Sequence, residues 1–154
     1  MSMHELKARY AAIAVRSAEA ADAPLVVETA HAVKGVDLDV TVPAARVTDA
    51  ARIAEEAGFT LEAVTGVDWI AEQQMEIVYD YTLFASGARI VVRARVPRDQ
   101  PELPTISGIH PGANWHERET HDFFGVVFAG HPELTPLLLP EDADFHPLRK
   151  DFGA

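Results

Sequence analysis

The strongest constraint on the fold comes from two alternating segments joined by a short polar turn. Apolar side chains occupy every second position from Met75 to Leu83, and they do so again from Ile90 to Val96. A period of two is typical of strands that bury one face. Gly87 in the turn can adopt a positive φ. The two segments therefore predict a β-hairpin.

A hairpin's loop length sets the register of its strands. A two-residue loop at Ser86-Gly87 would place Leu83 opposite Ile90. The same register would set Asp80 opposite Arg93 on the other face. Apolar side chains would then meet apolar ones, and opposite charges would meet. We predict this register, with Arg93 and its neighbouring arginines paired to acids across the strands.

Periodicity elsewhere predicts an α+β fold. An amphipathic helix is expected over residues 3–18, and an Ala-rich helix follows Pro43 and ends at Gly58. The order helix–two strands–helix–three strands gives a two-layer domain with a mixed five-stranded sheet. Only the step through residues 36–68 is long enough to make a parallel pair. The other predicted strands cover residues 25–29, 36–42 and 59–68.

Beyond Pro97 the sequence changes character. Asn114 can cap a helix over residues 115–124, which Gly125 would end. Residues 126–154 have no convincing period and several prolines, yet they include three consecutive leucines. Such a segment is expected to be an ordered, extended arm that packs on this domain or on another chain. We therefore divide the chain into a core domain, 1–97, and a C-terminal helix with a partner-binding arm, 98–154, within one structural unit.

Composition excludes several classes of function. The chain has no cysteine, so thiolate nucleophiles and cysteine-ligated iron–sulfur clusters are excluded. The formal net charge of −11 disfavours nucleic acid and anionic membrane surfaces. No glycine-rich phosphate loop, secretory signal or membrane-spanning apolar run is present. We expect a soluble, cytoplasmic protein with no membrane span, no bound cofactor and no catalytic or metal-binding residues.

The segment from His116 to His121 resembles a zinc-protease motif but has the wrong spacing. The two histidines are five positions apart, which separates them by about 140° on a helix, whereas zinc-binding pairs need a spacing of four. Glu117 and Glu119 lie about 200° apart and cannot flank one bond. A free-standing hydrolase that uses these residues is therefore disfavoured.

The same helix has a composition that favours an interface. Arg118 and Asp122 stand at i,i+4, as do Glu117 and His121, and such pairs stabilise a helix modestly. A solvated charged helix would need nothing more. However, Trp115 and two phenylalanines accompany the charges, and arginine beside aromatic residues is typical of interface centres.

Residues 114–125, Asn-Trp-His-Glu-Arg-Glu-Thr-His-Asp-Phe-Phe-Gly, resemble the signature of a family of respiratory complex I proteins, the 30-kilodalton or C-type subunits of NADH-quinone oxidoreductase. His131 matches the histidine that follows in that signature. His121 departs from it, because an aromatic residue is common there, and Thr135-Pro136 stands where basic residues are usual. Further similar stretches are Leu61–Asp68, Leu103–Gly108, Leu138–Asp142 and His146–Phe152.

The resemblance implies a cofactor-free scaffold subunit of the hydrophilic arm of a proton-translocating NADH-quinone oxidoreductase. Its partners would be the quinone-site subunit (D-type) and iron–sulfur subunits (B- and I-type), on the cytoplasmic side of the inner membrane. The alternative is the equivalent subunit of a membrane-bound nickel–iron hydrogenase or of a related ferredoxin- or F420-dependent complex. The expected partner-facing residues are Trp115, Glu117, Arg118, Glu119, Asp122, Phe124, His131, Leu137, Leu138, Arg149, Lys150 and Asp151.

Overall fold

The helices and strands follow the expected order, with three short elements that the sequence did not predict. The computed structural model describes residues 1–17 and 23–154. The first helix ends at Ala11, earlier than expected, and residue 18 of the predicted helix lies outside the described residues. The elements are α1 Met3–Ala11, β1 Val26–Glu28, α2 His31–Lys34, β2 Leu38–Thr41, α3 Val47–Glu56, β3 Thr60–Trp69, β4 Gln74–Leu83, β5 Ala88–Pro97, β6 Glu102–Pro104, α4 Ala113–Phe124 and β7 Val127–Ala129.

The five-stranded sheet is mixed, as predicted, in the order β1-β2-β5-β4-β3. The predicted parallel pairing of β2 with β3 is wrong, because β2 lies parallel to β5. Short connections pair β3 with β4 and β4 with β5 in antiparallel fashion. This leaves the outer edge of β5 for β2. Strands β2 and β3 still run in the same direction, with the hairpin inserted between them.

The hairpin forms, but its register differs from the predicted one. Leu83 pairs with Ala88 across a four-residue loop, in which Gly87 has φ 75°. Asp80 therefore faces Val91, and not Arg93. A shift of two positions leaves each side chain on its original face of the sheet. The alternation thus fixed the faces correctly, while loop length set the partners.

One face of the sheet packs against α1 and α3 to form the core. Small residues on α3 pack into this core, and Ala51 is fully buried. The hydroxyl of Tyr10 on α1 donates to the Ala50 carbonyl at 3.3 Å. The main sheet residues of this core are Leu38, Val40, Met75, Ile77, Tyr79, Tyr81, Ile90, Val92, Ala94 and Val96.

The opposite face of the sheet carries paired charges. Arg93 binds Asp39 at 2.9 Å and Glu76 at 3.3 Å, and Arg95 binds Glu76 at 3.0 Å. Arg89 lies 3.9 Å from Asp80. The prediction that this arginine stripe pairs with acids across the strands is confirmed, although the individual partners differ.

Two short strands flank the C-terminal helix. Strands β6 and β7 form a parallel pair that brackets α4, and Leu103 and Phe128 from them enter the core. Helix α4 begins at Ala113, so Asn114 lies inside it and is not its N-cap. Gly125 ends the helix with φ 75°, as predicted. Within the part of the chain that the structure describes, no helix is long and apolar enough to cross a membrane.

Candidate partner-binding surface formed by helix α4 and the C-terminal arm

Helix α4 lies against strand β3 at a point where only glycine fits. A Cβ atom on Gly66 would lie 2.6 Å from Cδ2 of Phe124, which is closer than real contacts allow. The hydroxyl of Thr120 bonds the His116 carbonyl at 2.9 Å and lies 3.4 Å from the Val64 carbonyl. This packing holds α4 at the edge of the sheet, where it presents its other side to residues 126–154, the C-terminal arm.

Asp122 binds the middle of the arm through one carboxylate oxygen. The backbone N–H groups of Leu137, Leu138 and Leu139 donate to its Oδ2 at 2.9, 2.7 and 3.1 Å. Burial acts to raise the pKa of Asp122, but the three hydrogen bonds outweigh it and hold the pKa below its usual value. A charged carboxylate thus satisfies three consecutive donors that proline-rich backbone cannot pair in a helix or a sheet.

Arg118 binds the arm just before these leucines. Its Nε donates to the Thr135 carbonyl at 3.0 Å, and its Nη2 donates to the Pro136 carbonyl at 2.9 Å. The predicted Arg118–Asp122 ion pair does not form, because both side chains reach across to the arm. A helix-surface pair contributes only a few tenths of a kcal/mol, whereas buried backbone groups without partners cost more.

Glu117 lies inside the chain and not on the surface where we expected it. Its carboxylate accepts hydrogen bonds from the Ile106 N–H at 2.8 Å and from the Thr105 hydroxyl. Burial outweighs these bonds and raises the pKa of Glu117 to about 7. The predicted pairing with His121 is also wrong, because His121 Nδ1 lies 2.8 Å from the Val126 carbonyl.

His131 is also an internal residue, and it connects the start of the arm to α4. Its side chain has no exposed surface. The Glu133 N–H donates to Nδ1 at 3.0 Å, so Nε2 carries the proton and points at the Asn114 carbonyl, 3.1 Å away. Glu117 lies 3.8 Å from the same Nε2. His131 therefore orders the chain between β7 and the leucines.

The end of the arm is held by a buried ion pair at the end of β3. Arg98 binds Asp68 through Nε at 2.8 Å, and its Nη2 binds Asp151 at 2.6 Å. The Lys150 N–H also donates to Asp68 at 2.9 Å. The hydrogen bond from Arg98 is the main reason that the pKa of Asp68 lies below its usual value. Asp68 and Arg98 were absent from the expected site, although Asp68 closes a stretch that carries the family resemblance.

The arm also satisfies the C-terminal carbonyls of α4, which a helix leaves without internal partners. The carbonyls of residues 122–124 face His146 Nδ1, the Leu148 N–H and Arg149 Nε, at 2.9, 3.1 and 2.8 Å. Gly125 allows this approach, since a Cβ there would lie 2.7 Å from His146 Nε2. Helix and arm therefore form one hydrogen-bonded unit.

Apolar side chains remain on the outside of this unit. Trp115 is 69% exposed and Leu138 is 63% exposed, while Leu148 and Phe152 near the end of the arm are 54% and 53% exposed. Among the expected partner-facing residues, Trp115, Glu119, Leu138, Lys150 and Asp151 lie at the surface. Within residues 1–17 and 23–154, no group of three His, Asp or Glu side chains is arranged to hold a metal ion. Helix α4 and the arm therefore provide an exposed, partly apolar surface on an ordered backbone.

Comparisons with known proteins point to one family. Residues 40–154 match the family described as respiratory-chain NADH dehydrogenase, 30 Kd subunit. The C-type subunit of NADH-quinone oxidoreductase from Roseiflexus sp. (strain RS-1) is 44% identical over 120 residues, which cover 75% of this chain and 69% of the relative. The C-type subunit of F(420)H(2) dehydrogenase from Methanosarcina mazei is 41% identical over 91 residues, 58% of each chain.

Two solved structures share the fold. A chain in the structure of the membrane-bound sulfane sulfur reductase, an archaeal respiratory membrane complex, superposes with a TM-score of 0.68 at 35% identity. The match covers 74% of this chain and 70% of that one. A trypsin-resistant fragment of Nqo5 gives a TM-score of 0.58 at 33% identity, covering 63% of this chain and 82% of the fragment.

Proposed function

The chain belongs to the family of the 30-kDa subunit of respiratory-chain NADH dehydrogenase, and from that premise we propose that it is a non-catalytic scaffold subunit. Its complex would be a proton-translocating NADH-quinone oxidoreductase, in which this subunit is part of the hydrophilic arm. Electron transfer takes place in other chains, since this one has no cysteine to ligate an iron–sulfur cluster.

The observation that supports a docking role is that the polar and apolar side chains of α4 and the arm face different ways. Arg118 and Asp122 bind the backbone of the arm, while Trp115 and Leu138 are exposed to solvent. Contiguous exposed apolar surface beside polar residues is typical of protein interfaces. An ordered arm that contributes outward-facing leucine and phenylalanine side chains is therefore suited to contact neighbouring subunits.

The proposed partners are the quinone-site subunit and the iron–sulfur subunits of the B and I types, with the assembly peripheral to the membrane on its cytoplasmic side. The family resemblance is the basis for these partners. In this arrangement the subunit holds its neighbours in register, and its own residues neither bind nor transfer electrons.

A second candidate is the equivalent subunit of a hydrogenase or of a ferredoxin- or F420-dependent membrane complex. The specific support is the 41% identity to a subunit of F(420)H(2) dehydrogenase and the fold shared with a chain of the sulfane sulfur reductase. Purification of the tagged chain from native membranes separates the candidates. Flavin-bearing, NADH-oxidising subunits in the eluate indicate the first, and a nickel-bearing large subunit or an F420-oxidising subunit indicates the second.

Truncation tests the scaffold role itself. A variant that ends at Pro132 is expected to remain folded by circular dichroism, because most of the core residues precede that point. It is expected to be lost from the purified complex. A variant that lacks only Gly153 and Ala154 is the matched control and is expected to assemble. A folded Pro132-terminated chain that still assembles in full yield would overturn the docking role of the arm.

A further inference from the structure

An open groove lies where the first turns of α4 meet the leucines of the arm. Trp115 and Glu119, one turn apart on the helix, form one side, and Leu137 and Leu138 form the other, around a volume of about 590 Å³. The two most exposed apolar side chains of this region, Trp115 and Leu138, both line the groove. Apolar surface on both sides of the groove therefore faces solvent in the isolated chain.

One carboxylate lines the groove, and four more lie on the arm on either side of its leucines in sequence. Glu119 lines it, and Glu133, Glu141, Asp142 and Asp144 lie on the arm segments that lead into and out of the leucines, all of them exposed. In the part of the chain that the structure describes, none of these five carboxylates forms an ion pair or a side-chain hydrogen bond. By contrast, the carboxylates on the open face of the sheet are matched by arginines.

Among the described residues, the arginines nearest in sequence form no ion pair with these carboxylates. The guanidinium of Arg118 donates to carbonyls of the arm, and that of Arg149 donates to the Phe124 carbonyl. The chain as a whole carries a formal net charge of −11. A partner with Lys or Arg beside apolar side chains would complement both properties of the groove, whereas an acidic partner or a second copy of this chain would be repelled.

We propose that the groove binds a basic amphipathic segment of a partner subunit, with an apolar side chain seated between Trp115 and Leu138. Lysine or arginine side chains of that segment face Glu119 and the acidic residues of the arm. This assignment rests on the proposed scaffold function and specifies the chemistry of one of its contacts. Tryptophan at the centre of an interface commonly dominates binding, and charges at the rim govern association rate and salt sensitivity.

Site-specific photo-crosslinking in the purified complex tests the assignment. The probe is the tagged full-length chain with His116→p-benzoylphenylalanine, assembled in native membranes, irradiated and digested for mass spectrometry. His116 also lines the groove and is partly exposed, so this exchange leaves Trp115 and Leu138 in place. The expected product is a peptide from another subunit with a net positive charge and at least one large apolar side chain. Adding Glu119→Lys is expected to lower the crosslink yield at least about tenfold, because like charges then meet at the rim. Glu55→Lys on the exposed side of α3 is the matched control and is expected to leave the yield unchanged.

The possible results separate this assignment from the scaffold function. A crosslink to a net acidic or uncharged segment, to a second copy of this chain or to lipid overturns the assignment while the scaffold function stands. The same holds if the variant is retained in the complex but gives no crosslink, or if Glu119→Lys leaves the yield unchanged. Absence of the wild-type chain from any complex overturns the scaffold function, and the assignment falls with it.

Discussion

Replacement of Asp122 by asparagine is expected to release the middle of the arm from α4 without unfolding the domain. The exchange keeps the shape of the side chain and removes the charge that three backbone N–H groups share. Hydrogen bonds to a charged acceptor contribute about 1 kcal/mol more than neutral ones, so three of them amount to about 3 kcal/mol. That loss corresponds to an increase of about 100-fold in the population of the open arm.

Amide hydrogen exchange reads this change directly. Protection of the amides of residues 137–139 is expected to fall about 100-fold in Asp122→Asn, while the amides of β4 and β5 exchange as before. Asp144→Asn, on the same arm and without a hydrogen-bonded partner among the described residues, is the matched control and is expected to change nothing. Wild-type protection of residues 137–139 in Asp122→Asn would refute the view that the carboxylate holds the arm.

The pH dependence of the same amides gives a second measurement. Because the folded-state pKa of Asp122 is lowered, its stabilising contribution is present above the ordinary aspartate pKa and is lost as pH falls through the folded value. Protection in the wild type is therefore expected to decline in acid. The asparagine variant, which cannot titrate, is expected to lack that part of the decline.

Three further changes test other contacts. Glu117 has a folded pKa raised from 4.5 to about 7, so between these pH values the unfolded chain ionises first and the free energy of unfolding falls as pH rises. Measured by urea titration, this fall is expected to reach up to about 3 kcal/mol between pH 5 and 8 in the wild type and to be mostly absent in Glu117→Gln. An equal fall in the variant would contradict the raised pKa of Glu117. Gly66→Ala is expected to lower the free energy of unfolding by about 1–3 kcal/mol, because its Cβ would collide with Phe124. In thermal melting the control is Gly108→Ala, whose Cβ would meet open space, and equal melting temperatures for the two variants would contradict the close packing at Gly66. Arg118→Ala is expected to reduce the yield of assembled complex while turnover per complex stays unchanged. Arg118→Lys is expected to restore the yield in part, since lysine cannot reproduce the two-pronged contact of the guanidinium with the arm. Full assembly with abolished turnover would indicate instead that Arg118 takes part directly in the reaction.

Local patterns in the sequence predicted the elements, and contacts distant in sequence decided their arrangement. Alternation identified the hairpin strands because the period of two is a property of each strand alone. Phe84 and Ala85 carry no turn signal, so the sequence favoured a two-residue loop where the structure has four residues. The strand that pairs with β2 depends on which edge of the hairpin is free, and no residue of β2 indicates this.

The exposure of the expected partner-facing residues could be predicted only in part, because several of them bind groups of this chain that lie far along the sequence. Arg118 and Asp122 stand at a spacing typical of a surface ion pair, and nothing local to the helix indicates that each binds the arm instead. For Glu117 a signal did exist. Ala113, Glu117 and Thr120 stand at i, i+4 and i+7, the spacing of the buried face of a helix, and all three are buried.

The hydrogen bonds between α4 and the arm have a consequence for the kinetics of assembly. Asp122, Arg118 and the helix C-terminus order the arm within the chain itself, so its conformational entropy is lost during folding and not at the encounter with a partner. Association is then expected to proceed as docking of a preformed surface, with little backbone rearrangement and a small heat-capacity change compared with a segment that folds on binding. Loosening the arm would slow productive encounter even where every contacting side chain is retained.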